Sequence, residues 1–161
     1  MVADGAMGQK ILEEGLKGGS KNYEIISKLI QRGAILVKTE DFALVKKERD
    51  LLLKMTGARG LTEKLSSYLK YRLAKNKLLR ERDRFIANRI NETLNQGETG
   101  ILFIGAYHEI IPELPKDIQV KEIKDTKKIR GYQEALLHSK SDTRRFEELS
   151  GYLFSPPPSS L

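Results

Sequence analysis

His108 is one of two histidines in the chain, and it follows an apolar run, ILFIG, that ends at Gly105. Glu40 stands in the equivalent place after a second such run, AILVK. In open α/β sheets the ligand crevice lies outside the carboxyl ends of the strands. Two neighbouring strands would bring this imidazole and this carboxylate to one edge, a pair suited to a divalent metal or to proton transfer. The plainer reading is that His108 caps a loop and Glu40 a helix N-terminus, where a carboxylate is stabilised in any case. The other histidine, His138, lies among polar residues and reads as surface.

A second group sits in RERDRFIANRI, where Arg82, Asp83 and Arg84 share a helical pattern with Ile86 and Ile90. Asp83 is one turn from Ile86, at the margin of the apolar stripe, and a carboxylate there needs a partner such as Arg82 or a backbone donor. The alternative is a solvated charged face with weak ion pairs. Lys75, Arg82 and Arg89 recur every seventh residue, as do Lys70, Lys77 and Arg84, so each trio forms a helical stripe that could follow phosphates. No nucleic-acid motif accompanies them, and a solvated helix is the better reading. No Gly-rich phosphate loop and no G-x-S-x-G elbow occurs, and two histidines leave little room for a serine triad.

The elements that must position these residues follow from punctuation and periodicity. A helix is expected over Gln9 to Lys17, and a second through SKNYEIISKLIQRG, with Ser20 as N-cap and Gly33 as its stop. AILVK and ILFIG read as buried strands, and IQVKEI, from Ile118 to Ile123, as an edge strand. Between the first two lie a helix from Asp41 to Met55 and a long one from Thr62 to Gln96, kinked or split near Lys75 to Lys77. In the long helix Leu65, Leu69, Leu73, Leu79, Ile86, Ile90 and Leu94 step by three or four, with a slip near Asn76. A basic linker, KDTKKIRG, leads to a last amphipathic helix with Phe146, Leu149 and Leu153, and the SPPPSSL tail reads as disordered.

With 161 residues, 39% apolar, the chain has the size and composition of a single soluble domain. Cysteine is absent, which excludes thiolate metal sites, cysteine nucleophiles and disulfides. No apolar stretch is long enough to span a membrane, and the opening residues lack a signal-peptide order, so a cytoplasmic protein is expected. The formal charge is +7. Between Lys46 and Glu92 there are 14 basic and 6 acidic residues, so that segment holds the whole imbalance.

Glu81-Arg82-Asp83 in a helix, a Gly stop, an apolar strand and then Gly105-Ala106-Tyr107-His108 resemble the second half of the TraB/TIKI/ChaN-like superfamily, which includes erythromycin esterase-like proteins. GSKNYEIISKLIQRGAILVKTED and ETGILFIGAYHEI are similar to a group of prokaryotic proteins without an assigned reaction. The resemblance covers Asp4 to Ile123. It implies that His108 is the second of two superfamily histidines, Glu40 a strand-end acid, and Arg82 and Asp83 a helix pair that faces or supports the site. The first superfamily histidine has no counterpart here, which removes half of that ligand set.

The expectation is an α/β domain over 1–123, with about three strands, one long helix and the superfamily's first strand missing, followed by a linker and helix over 124–154 and a tail over 155–161. Its function would be that of a small-molecule-, peptide- or partner-binding module, with homo-oligomerisation covering the exposed sheet edge. The alternative is a metal-assisted hydrolase of esters or peptides. In that case His108 and Glu40 act as ligands or acid and base of a divalent-metal site, with Arg82 and Asp83 beside them. Nucleic-acid binding through the basic long helix is the third reading.

Overall fold

The computed structural model describes residues 3–137 and 143–156. Every regular element among them is helical: α1 (Gly5–Lys17), α2 (Lys21–Gln31), α3 (Phe42–Gly57), α4 (Leu61–Thr93), a 3-10 turn (Ile111–Glu113), α5 (Thr126–Leu137) and α6 (Thr143–Phe154). The expected α/β fold with its three-strand sheet is therefore overturned. AILVK, ILFIG and IQVKEI are irregular chain. A strand exists only as one rail of a hydrogen-bonded ladder. The amides of Ile35 to Lys38 and of Ile101 to Ile104 make no backbone hydrogen bond among the described residues. Nor are these runs buried as an interior strand requires: Ile35 is 86% exposed, and Ile101, Phe103, Val120 and Ile123 are also open to solvent.

The chain divides into two compact units, one of residues 3–103 and 109–115, the other of residues 104–108 and 116 onward. In the first unit, α1 and α2 form a hairpin through Gly18 and Gly19, the latter at φ 72°, which a side chain rarely adopts. Gly15 is the close-approach point. A Cβ there would run into the Tyr23 ring, so glycine inside α1, a poor helix former, is what lets α2 pack. Gly33, at φ 95°, ends the second helix as its sequence predicts.

α3 starts at Asp41, whose Oδ1 accepts the Ala43 N–H at 2.7 Å. Its half-buried residues include Leu44, Val45, Glu48, Leu51, Leu52 and Met55, which repeat at helical spacing, and α3 packs against α4. α4 runs unbroken for 33 residues, about 50 Å. It passes straight through Lys75 to Lys77, where the slip in its leucine pattern predicts a break, because that slip moves apolar residues between faces without removing a backbone bond. Leu78, Ile86 and Ala87 are its buried apolar residues.

In the second unit, α5 and α6 pack through Tyr132 and Phe146, stacked with ring centroids 5.5 Å apart. The basic segment expected to be a linker is the start of α5. Asp125 Oδ1 accepts the Lys127 N–H at 2.8 Å, an N-cap that fixes the first turn. Lys124 donates to the carbonyls of Tyr152 and Ser155 at 2.8 and 2.6 Å, satisfying acceptors at the end of α6. His138 and residues 157–161 of the tail lie outside the described residues.

Candidate functional site

The Glu-Arg-Asp segment of α4 turns consecutive side chains about 100° apart, toward different neighbours. Arg82 points toward the start of α3. Its Nε and Nη2 donate to the two oxygens of Glu40 at 3.1 and 2.6 Å, and its Nη1 donates to Glu48 at 2.5 Å. The Arg82 side chain is 15% exposed. A planar guanidinium holding one carboxylate by a two-pronged contact and a second by its remaining arm is a strong, geometrically fixed arrangement. The hydrogen bond that Arg82 donates to Glu40 chiefly, with the charges of both glutamates, raises the Arg82 pKa above the ordinary guanidinium value, outweighing the opposing effect of burial. Two turns further along α4, Arg89 donates to the Lys38 carbonyl at 3.3 Å and pairs with Glu92 at 2.7 Å.

Asp83 is 4% exposed, the one buried charged residue among those described. Its Oδ2 accepts the backbone N–H of Glu109 at 3.0 Å, which answers the partner question raised by its place on the apolar margin. Beside it, Arg84 faces Glu113 at 3.6 Å, and Ile110 is buried. The segment from Glu109 to Glu113 is thereby laid along α4.

Glu40, Arg82 and Asp83 belong to the first unit, His108 to the second. There the GAYH turn closes by a His108 N–H bond to the Gly105 carbonyl at 3.1 Å. Arg130 of α5 fixes it, donating to the Ala106 carbonyl at 2.5 Å with its guanidinium 5.8 Å from the Tyr107 ring centre. Sequence reasoning missed Arg130 by placing it in a linker. The Asp125 cap, with Ile129 and Tyr132 at helical spacing, was the available signal. Glu48, the second partner of Arg82, was also missed, and only its distance of one α3 turn from Val45 and Leu51 marks it as facing α4.

Among the described residues no cluster of three or more histidine or carboxylate side chains is placed to hold a metal ion. Both Glu40 oxygens are already engaged by Arg82. The two basic trios are also partly spent: Arg82 and Arg89 are bonded toward α3, Arg84 faces Glu113, and Lys77 lies 3.8 Å from Glu81. An open cleft of about 560 Å³ near the α3–α4 turn is lined by Lys54, Glu63, Ser66, Ser67 and Lys70 among others. No helix among the described residues is long and apolar enough to cross a membrane.

What the first half of α4 leaves uncovered stands out more than any of these. Leu61, Leu65, Tyr68, Leu69 and Leu73 are all exposed, Leu61 by 87% and Leu73 by 80%. Their spacing of i, i+4, i+7, i+8 and i+12 puts them on one stripe. Five turns are 18 residues, so Leu65 lies over Asp83, Tyr68 over Ile86 and Leu69 over Ala87. The same helix face is thus buried in its second half and bare in its first.

Compared with known proteins, the chain matches no family model, no curated protein and no solved structure, so the superfamily resemblance rests on its short motifs alone.

Proposed function

We propose that the chain is a partner-binding module that offers the first half of α4 as its docking surface. The observation that carries this is the single helix face whose buried half, at Asp83, Ile86 and Ala87, continues into an exposed leucine half. An apolar patch on a surface otherwise rich in charge marks an interaction site. The residues first considered for catalysis support the same reading. Arg82 is bonded to Glu40 and Asp83 to the backbone of Glu109, as parts that hold neighbouring segments to α4.

The experiment compares chemical denaturation of three proteins. If the bare face serves a partner, replacing Leu65 and Leu69 together by glutamine, a comparable helix former, changes stability by less than about 0.5 kcal/mol. Leu78→Ala, on the buried side of the same helix, costs about 3 kcal/mol. Equal losses from both changes would mean that the leucines belong to the chain's own core, and the proposal would fail.

A further inference from the structure

The covered half of the α4 face indicates the chemistry that fits the bare half. It is covered by Glu-Ile-Ile-Pro-Glu, residues 109–113, in which Ile110 is buried and Glu113 faces Arg84. That cover sets an apolar residue, Ile110, against the helix and a carboxylate, Glu113, beside a cation at its edge. Around the bare half, the stretch from Arg59 to Arg80 contains seven basic residues and a single acidic one, Glu63. Arg72 sits within the stripe, one turn from Tyr68 and Leu69, and neither it nor Lys64 makes an ion pair among the described residues.

From this we infer that the bare face takes an acidic amphipathic helix of a partner protein, with leucine or isoleucine on its inner face and carboxylates set to meet Lys64 and Arg72. The inference rests on the reading of this face as a docking surface. A second copy of the chain fits less well, because it would bring basic flanks against basic flanks. From Leu61 to Leu73 the stripe spans about 18 Å, the length of a partner helix of three to four turns. A lipid surface would satisfy the flanking cations but would press Arg72, in the middle of the stripe, against acyl chains, whereas a partner helix can bring a carboxylate to it.

The test uses the full chain and a synthetic amphipathic peptide of about four turns, with leucine along one face, glutamate on both sides of it and alanine elsewhere. Its counterpart carries lysine at every glutamate. The glutamate peptide is expected to bind at least about tenfold more tightly than the lysine peptide. Binding should weaken about tenfold in the Leu65→Gln/Leu69→Gln protein and severalfold in Arg72→Gln, and it should fall as salt rises. Equal binding of the two peptides, or unchanged binding by the leucine variant, overturns the inference. So does leucine-dependent binding to vesicles of phosphatidylglycerol and phosphatidylcholine by a chain that ignores the glutamate peptide, which would assign the face to lipid. A wild-type dimer in sedimentation equilibrium that the leucine variant abolishes overturns it in favour of self-association. In each of these cases a stability-neutral leucine variant leaves the docking reading standing, so the two failures are separable.

Discussion

Arg82 and Asp83 are neighbours in sequence and are bound to different segments, Arg82 to Glu40 and Glu48 at the α3 side and Asp83 to the backbone of Glu109. The pair makes α4 the common support of two segments that would otherwise have little to hold them.

Replacing Arg82 by methionine leaves Glu40 and Glu48 facing each other without their cation. The expected loss is about 2 kcal/mol, less than for a fully buried ion pair because all three side chains keep some contact with water. Adding Glu40→Gln and Glu48→Gln to that protein should restore part of the loss, and denaturant titration of the four combinations measures it. Arg82→Lys should not substitute for arginine, since one ammonium cannot span both oxygens of Glu40 and still reach Glu48.

The Arg82 shift also fixes a pH dependence. Its folded-state pKa is raised above the unfolded value, so its contribution to stability is fully present below the unfolded pKa and disappears only as pH rises through the folded one. Both lie at strongly alkaline pH. The stability difference between wild type and Arg82→Met should therefore stay constant from about pH 7 to pH 10. A difference that shrank steadily over this window would contradict the assignment.

Asp83→Leu removes the acceptor of the Glu109 N–H in a buried place and should destabilise the chain by about 2 kcal/mol. Asp83→Asn keeps an oxygen acceptor and should lose less. Hydrogen exchange distinguishes a local from a global effect: in Asp83→Leu the Glu109 amide should exchange faster relative to the amides of α1 and α2.

A metal site built on Glu40 would have to break both of its bonds to Arg82. Mn²⁺, Co²⁺ and Zn²⁺ are accordingly expected to leave the melting temperatures of wild type and of His108→Ala shifted by the same amount. A rise confined to wild type, by linkage, would identify a metal held through His108 and return the hydrolase reading to the front.

The helices were legible because their signals are local. Asp41 as a cap, Gly33 as a stop, and the stretch between Thr62 and Gln96 without glycine or proline all act within a turn or two of themselves, although α4 ends at Thr93, short of the Gly97 expected to stop it. The strands were misread because a buried strand is defined by what lies beside it. AILVK and ILFIG have the right composition, and composition carries no information about a pairing partner. The leucine stripe shows the same limit. Its period marks one face of α4, while the burial of Ile86 and the exposure of Leu65 depend on where Glu109 to Glu113 returns to the helix. Asp83 lay between these extremes, since its place on the apolar margin demanded a partner without naming Glu109.

The bonds that fix α4 close loops of very different length. The α3–α4 turn needs only residues 58–60, while the Asp83 bond to Glu109 joins positions 26 apart and the Arg82 bond to Glu40 positions 42 apart. Contacts between residues near in sequence form first, because little chain entropy is lost in closing them. In a refolding chain the helical hairpin should therefore appear before its second half is locked, with Arg82 and Asp83 closing late, once α4 is long enough to carry them to their separate partners.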